Sequence, residues 1–357
     1  MVLLYITFID FGKMESGSSV RPHKMYEAFS SLGIEIKLLE GKQNNRRLRK
    51  QRIREIDRWL DSNQPDFCYI EPPSGPMFNY ADLRLIKKIH QKGIPIGFFY
   101  RDMFWKFPQI WNIAWWKKII LIVMHKRDIR YIAKYCNVVY FANTSALQYF
   151  PKIKFQKVSF LPPGGEGKAL DYCGKEINTS IFVGGTTEAY GAKKLIQAFE
   201  LLNAESFVSK LIIVTSKENL KLLQGLNFEN YSWLKIVHTF DRRELEKLYS
   251  EARLAIIPFK KQIYMDLASP IKLFEYLGYG IPVVSTNCRE IEKVINKYNC
   301  GIICEDSAEA IAENVEAFFT DEKMMKKLTE NAIEAGKSNT WKMRAQKVVD
   351  DLTNIDN

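Results

Sequence analysis

The sequence predicts two α/β domains, each a parallel sheet flanked by helices. Three observations carry that expectation. The chain has 357 residues, more than one domain of ordinary size and suited to two. Its opening alternates strand, loop, helix and strand, which is βαβ order. Near the middle, Pro162-Pro163-Gly164-Gly165-Glu166-Gly167 interrupts the alternation, and a new strand, glycine loop and helix follow it. The expected domains are 1–163 and 164–340, with a last helix at 341–357.

Composition narrows the class. Hydrophobic residues make up 46% of the chain, enough for a core in each half. Residues 1–163 carry 27 basic and 13 acidic side chains, a net of +14, whereas 164–357 carry 25 and 28, a net of −3. The basic excess therefore belongs to the first half and asks for an anionic partner there. The six cysteines, Cys68, Cys136, Cys173, Cys288, Cys300 and Cys304, form no Cys-x-x-Cys pair and read as reduced core thiols. Asp10 and Lys13 follow the first apolar run too closely for a secretory signal. The longest membrane-like run, Ile119 to Met124, falls far below the roughly 20 residues of a spanning helix. An intracellular protein without a transmembrane helix is expected.

In the first half, residues 2–9 form a buried strand. A loop with Gly12 and Gly17 leads to a helix from Val20 to Leu32, closed by Gly33, and to a strand from Ile34 to Leu39. The loop is not Gly-x-Gly-x-x-Gly, so a dinucleotide fingerprint is absent. Arg21 and His23 lie near the helix start, where they meet either an anion or solvent. Lys42 to Arg58 is strongly basic, with Ile53, Ile56 and Leu60 as an apolar stripe at helical spacing. Its basic face is read as solvated, with anionic lipid as the competing partner. Strand 66–70 ends at Glu71, and strand 94–100 ends at Arg101-Asp102. Ligands of open α/β sheets gather at such carboxyl ends. Asp102 is the candidate for the most chemically engaged carboxylate of this half; a helix cap or a salt bridge to Arg101 is the alternative.

Residues 104–135 combine Trp105, Trp111, Trp115 and Trp116 with Lys117, Lys118, Lys126, Arg127, Arg130 and Lys134. Tryptophan beside lysine suits a headgroup layer, so Trp111, Trp115, Trp116, Lys117 and Lys118 are candidate contacts with an anionic membrane surface. A helix pair packed on the sheet is the plainer reading. No nucleic-acid reader module is recognisable, and no nucleic-acid partner is expected.

In the second half, strand 180–183 runs into Gly184-Gly185-Thr186-Thr187, a loop whose backbone can approach a phosphate. Strand 210–215 ends at Ser216, placed to meet a base. After strand 254–258 comes Ser269-Pro270-Ile271-Lys272-Leu273-Phe274-Glu275-Tyr276, then Gly280-Ile281-Pro282-Val283-Val284. Ser269 reads as N-cap and Pro270 as a first-turn residue. Free first-turn amides and Lys272 form an anion site. Glu275, three residues on, lies on the same side and can accept two ribose hydroxyls. Phosphate and ribose together describe a nucleotide diphosphate.

This stretch resembles the nucleotide-sugar signature of GT-B glycosyltransferases, especially family 4, where Ser-Pro-x-Lys-Leu-Phe-Glu-Tyr leads into Gly-x-Pro-Val-Val. The segment from Val237 to Pro258 is similar to the family's run ahead of it. The resemblance implies two Rossmann-like domains facing across a cleft, with the final helix, anchored by Trp341, crossing back to the first. It implies a nucleotide-diphosphate sugar as donor, UDP-sugar foremost, held by Gly184, Gly185, Ser216, Ser269, Pro270, Ile271, Lys272, Leu273 and Glu275. The acceptor falls to the first domain, with Gly17, Arg21, Glu71 and Arg101 as candidates, and Asp102 as the catalytic candidate. No cofactor and no metal are expected, in keeping with the absence of an Asp-x-Asp cluster. A retaining transfer to a lipid-linked or membrane-proximal glycan, as in capsule or exopolysaccharide synthesis at the cytoplasmic face of a membrane, is the implied function. The sequence departs from the family at three places. Gly185 and Tyr190 stand where an Arg and a Lys usually bind phosphate, and Leu267 replaces a Glu, with Asp266 beside it. Lys193, Lys260, Lys261 and above all Lys272 are the available substitutes. A non-catalytic protein that kept the fold, or a soluble transferase acting on a protein or small molecule, are the alternatives.

Overall fold

A computed structural model describes residues 1–9, 11, 17–42, 45–72, 74–77, 79–171, 178–206, 208–223, 231–239 and 241–354. The chain divides into two units, Met1–Pro163 with Trp341–Asn357, and Gly164–Thr340.

The first unit alternates β1 (Val2–Thr7), α1 (Gly17–Ser31), β2 (Glu35–Leu39), α2 (Arg46–Ser62), β3 (Phe67–Glu71), α3 (Tyr80–Gln91), β4 (Ile96–Tyr100), α4 (Trp115–Tyr135), β5 (Val138–Phe141) and β6 (Lys157–Phe160). Its sheet has the order β2-β1-β3-β4-β5-β6, every pairing parallel. A parallel sheet covered on both faces needs unbroken apolar strands. β3, β4 and β5 are buried at every residue. Helix α2 shows why Lys42–Arg58 is not simply a solvated face. Arg49 stands in line with Ile53, Ile56 and Leu60, and all four are buried. Its Nε and Nη2 donate to Asp82 Oδ1 at 3.0 and 2.9 Å, and its Nη1 to the Thr7 carbonyl at 2.8 Å.

The second unit runs β7 (Thr179–Val183), α5 (Ala192–Leu202), β8 (Lys210–Val214), α6 (Lys217–Leu220), β9 (Leu234–Val237), α7 (Arg242–Ser250), β10 (Leu254–Ile257), α8 (Ile271–Gly278), β11 (Val283–Thr286), α9 (Arg289–Tyr298), β12 (Gly301–Cys304), α10 (Ala308–Thr320) and α11 (Glu322–Lys337). Its sheet order is β12-β11-β10-β7-β8-β9, again parallel throughout. In both sheets the carboxyl ends of the strands lie along one edge, where such folds bind ligands. Gly191 opens α5 with φ +72°, and a Cβ there would stand 1.7 Å from the Pro258 carbonyl oxygen, so only glycine fits.

The last helix, α12 (Trp341–Thr353), belongs to the first unit and packs on α1, β3 and β4. Trp341 is buried there, and Arg344 Nε donates to the carbonyls of Pro162 and Pro163 at 3.1 and 3.2 Å. Cys68, Cys136, Cys288, Cys300 and Cys304 are buried free thiols, while Cys173 lies outside the described residues. Among the described residues, no helix is long and apolar enough to cross a membrane.

Candidate functional site

Among the described residues, the second unit presents a buried cation without a hydrogen-bond partner. Lys272 is the second residue of α8, and β7 ends opposite it in Gly184. Gly184 has φ +149°, and a Cβ on it would stand 2.3 Å from Lys272 Nζ. The strand end is thus shaped to admit the ammonium. Three rings enclose it, with centroids 4.4 Å (Phe182), 5.1 Å (Phe259) and 5.2 Å (Tyr190) away. The stem is half-buried, but Nζ itself is closed off from solvent and makes no hydrogen bond. Burial pulls its pKa down to about 7, against a smaller upward pull from Glu275. A buried ammonium held only by ring faces is an arrangement an anion would complete.

The helix start provides the rest of such a site. The N-cap is Pro270, not Ser269 as expected: Pro270 keeps an extended ψ of 134° and makes no side-chain cap bond. The amides of Ile271 and Lys272 begin the helix at its positive end, with no cap bond from the N-cap residue. Leu273, expected among the ligands, is a core residue whose N–H bonds the Pro270 carbonyl at 3.2 Å. Glu275 is half-buried on the same helix; burial, and then its carboxylate, push the Tyr249 and Tyr279 phenols up.

Two of the other candidate cations are committed elsewhere. Lys260 pairs with Glu188. Lys261 pairs with Asp266 at 2.9 Å. Lys193 is exposed. Asp266 also takes the Arg289 N–H at 3.1 Å at the start of α9, so it serves that helix rather than replacing the carboxylate missing at Leu267, which is itself buried. Gly185 adjoins Tyr190: a Cβ on it would meet that ring at 3.2 Å. Ser216 sits at the end of β8, as expected, with its Oγ accepting the Asn219 N–H at 3.2 Å as the cap of α6. Phe182 and Phe259 are the residues the sequence reading missed. Scattered aromatics at strand ends carry no local signal, and only the fold brings them onto one lysine.

The first unit gathers three of its four acceptor candidates. Glu71, at the end of β3, is fully buried; its Oε1 lies 2.9 Å from Arg21 Nε as an ion pair and 3.2 Å from Arg101 Nη2. Its Oε2 accepts from Tyr69 and Tyr5 at 3.2 and 3.4 Å. The phenols are pushed up by burial first, then by Glu71. Gly17 begins α1, outside this cluster. Glu71 is the carboxylate that gathers these partners. Asp102 Oδ1 accepts the Phe104 N–H at 2.9 Å, the helix-cap alternative.

The tryptophan-rich stretch separates into two roles. Trp111 is a correction: it is buried, stacks on Phe104 at 5.6 Å and donates Nε1–H to the Phe104 carbonyl at 2.9 Å. Lys118 is half-buried, with Nζ donating to the Pro108 carbonyl at 2.9 Å, so it fixes the approach to α4 rather than reaching outward. Trp115 and Trp116, by contrast, are 73% and 49% exposed, and Ile119, Ile120 and Val123 continue an exposed apolar face. Lys117 is exposed beside them, 5.3 Å from the Trp116 ring. Isolated exposed apolar residues are ordinary, but a contiguous helical face of this kind marks an interaction surface.

Comparison with known proteins bears on the second unit first. Residues 174–335 match the family described as Glycosyl transferases group 1. Chitobiosyldiphosphodolichol beta-mannosyltransferase of Candida albicans is 30% identical over 137 residues, which are 36% of this chain and 29% of that protein. The chain therefore matches less than a third of that relative's length. Two solved structures align over the whole chain. WaaG, a glycosyltransferase involved in lipopolysaccharide biosynthesis, aligns with TM-score 0.67 and 15% identity, over 99% of this chain and 100% of that one. Anabaena Alr3699/HepE, in complex with UDP and glucose, aligns with TM-score 0.68 and 11% identity, over 99% of each. At these identities the likeness concerns the fold, which is GT-B.

Proposed function

We propose that this GT-B chain, whose residues 174–335 fall in the glycosyl transferases group 1 family, moves a sugar from a nucleotide-diphosphate donor to an acceptor bound by its first unit. The observation that carries the proposal is the buried Lys272 ammonium at the start of α8, which has no hydrogen-bond partner among the described residues. In sugar transfer the leaving diphosphate gains negative charge as the glycosidic bond breaks. Helix amides and a cation already in place stabilise that charge without reorganising at the moment of reaction. Glu275, one turn on, is suited to the ribose. This charge stabilisation comes from the chain's own groups, and the proposal invokes no further cofactor.

UDP is the proposed nucleotide, an inference supported by the UDP in the HepE complex. A lipid-linked or membrane-proximal glycan is the proposed acceptor, in cell-surface polysaccharide synthesis. The dolichol-linked substrate in the Candida relative's name and the lipopolysaccharide role of WaaG support it. The exposed Trp115–Trp116 face with Lys117 would hold the enzyme at the cytoplasmic side of an anionic membrane. Each large apolar side chain buried there contributes up to about 1.5–3 kcal/mol.

One observation favours a second reading, a protein that keeps the fold and binds a nucleotide without transfer. Leu267, which is buried, stands where the family carries a Glu, and Asp266 beside it is tied to Lys261. Titration calorimetry with UDP and turnover across a panel of nucleotide sugars decide between the two. UDP binding with turnover of at least one sugar supports transfer, UDP binding with none supports the second reading, and no binding defeats both.

A further inference from the structure

Helices α2, α3 and α4 form one layer on the first sheet. In the strand order β2-β1-β3-β4-β5, the connections through α2, α3 and α4 run in one direction and the connection through α1 in the other. Right-handed crossovers therefore put these three helices on the same face. α2 packs on α3 and α3 on α4, while α1 packs on α12.

This layer holds most of the unit's charge. The three helices carry 16 basic and 5 acidic side chains, a net of +11 against +14 for residues 1–163. All five carboxylates are matched by cations of the same layer. Asp82 meets Arg49, Asp128 meets Arg127, Glu55 meets Arg52, and Asp57 and Asp61 meet Lys88. The surplus falls into rows that point outward. On α2, Arg47, Lys50, Arg54 and Arg58 recur at helical spacing, all exposed, on the side away from the buried Arg49, Ile53, Ile56 and Leu60. On α3 the exposed row is Tyr80, Arg84 and Lys87. On α4 it is apolar: Trp115, Trp116, Ile119, Ile120 and Val123. With neighbouring helices 8–10 Å apart, the three rows span roughly 20 Å.

Two cationic rows beside one apolar row select the partner. Water or a nucleic acid would serve the cations, but neither favours an apolar row. An anionic bilayer takes both: its headgroups meet the cations, and its interfacial zone accepts tryptophan and aliphatic side chains. We propose that the outer face of the α2–α3–α4 layer is a single docking surface for an anionic membrane, with α2 and α3 supplying its electrostatic part. The proposal rests on the membrane contact put forward above for the start of α4, and carries it across two further helices.

The test floats the full chain with phosphatidylcholine vesicles, with and without phosphatidylglycerol. Arg47→Gln, Lys50→Gln and Arg54→Gln are combined on α2, and Arg84→Gln with Lys87→Gln on α3. A control combines Lys323→Gln, Lys326→Gln and Lys327→Gln, exposed cations of α11 in the second unit. A cation held near an anionic surface strengthens binding by roughly fivefold, so on phosphatidylglycerol vesicles the α2 protein should lose at least about tenfold and the α3 protein at least about threefold. Melting temperatures should hold, because every substituted side chain is exposed. The control should bind as the wild type does, and added salt should weaken the wild type. An equal loss in the control shows general charge attraction and overturns the proposal. The Trp115→Ala, Trp116→Ala protein, floated alongside, separates this proposal from the one it rests on. Loss in the charge variants and in the tryptophan variant supports a single surface. Loss in the tryptophan variant alone leaves the α4 contact standing and overturns its extension to α2 and α3. Loss in the charge variants alone defeats the α4 contact and, with it, the bilayer as occupant. Duplex DNA that strips the wild type from vesicles of equal total charge assigns the face to nucleic acid and also overturns the proposal.

Discussion

Replacing Lys272 with methionine should make the protein more stable and donor binding weaker. The side chain keeps its length and apolar contacts and loses only the ammonium. In the folded chain the Lys272 pKa lies near 7, against 10.5 ordinarily. At pH 7 the unfolded chain holds that proton while the folded chain holds it only in part, which costs folding roughly 4 kcal/mol. Cation–π contact with the three rings returns up to about 2 kcal/mol of this. Lys272→Met should therefore gain about 2 kcal/mol at pH 7, measured by urea denaturation. The sign with pH follows from the lowered pKa. The cost is fully present below pH 7 and fades as pH rises towards 10.5, where the unfolded lysine also loses its proton. The stability difference between variant and wild type should shrink over that same window. Donor binding should move the other way: losing one charged hydrogen bond to the diphosphate costs about 1.5–3 kcal/mol, or roughly 10–150-fold in Kd for UDP. A variant less stable than wild type at pH 7, or one that binds UDP as tightly, would refute the reasoning.

Other substitutions probe separate parts of the account. Glu275→Ala should weaken UDP by about tenfold or more, through lost hydrogen bonds to the ribose; near-normal affinity by calorimetry would remove Glu275 from the site. Gly184→Ala places a methyl 2.3 Å from Lys272 Nζ at a positive φ, so it should lower both melting temperature and UDP affinity; an unchanged Kd would show that the strand end does not shape the pocket. Trp115→Ala with Trp116→Ala should reduce flotation with anionic liposomes at least tenfold, with the melting temperature kept, because both rings are exposed. Equal flotation of the two proteins would sink the membrane contact. Asp82→Asn leaves Arg49 charged and unpaired in the core and should cost about 3–5 kcal/mol in chemical denaturation; a loss below about 1 kcal/mol would contradict the buried pair.

The fold was legible because both halves state their alternation plainly. Apolar strands with no polar face, such as Ile96–Tyr100 and Leu254–Ile257, can only be central strands of a covered sheet. Lys272 and Glu275 were legible because a helix start and a three-residue spacing are local facts. The aromatic enclosure of Lys272 was not, because Phe182, Tyr190 and Phe259 come from three separate segments. Arg49 could have been found: its spacing to Ile53, Ile56 and Leu60 is that of one helical face, yet its charge suggested solvent. Trp111 and Trp115 look alike in sequence, and only the 3₁₀ turns before α4 turn one inward and leave the other exposed. The gathering of Arg21 and Arg101 on Glu71 was hidden for a similar reason. Strand ends indicate where ligands gather but not which carboxylate the neighbouring arginines will choose.

The claim at the centre of the account is that the Lys272 pocket holds the diphosphate of a sugar donor. Release of nucleoside diphosphate from a panel of nucleotide sugars, measured for wild type and for Lys272→Met, tests it most directly. The account predicts release from at least one sugar nucleotide by the wild type, and a loss of tenfold or more in kcat/KM for the variant. Release that is equal in both proteins, or absent from every donor in the wild type, would contradict it.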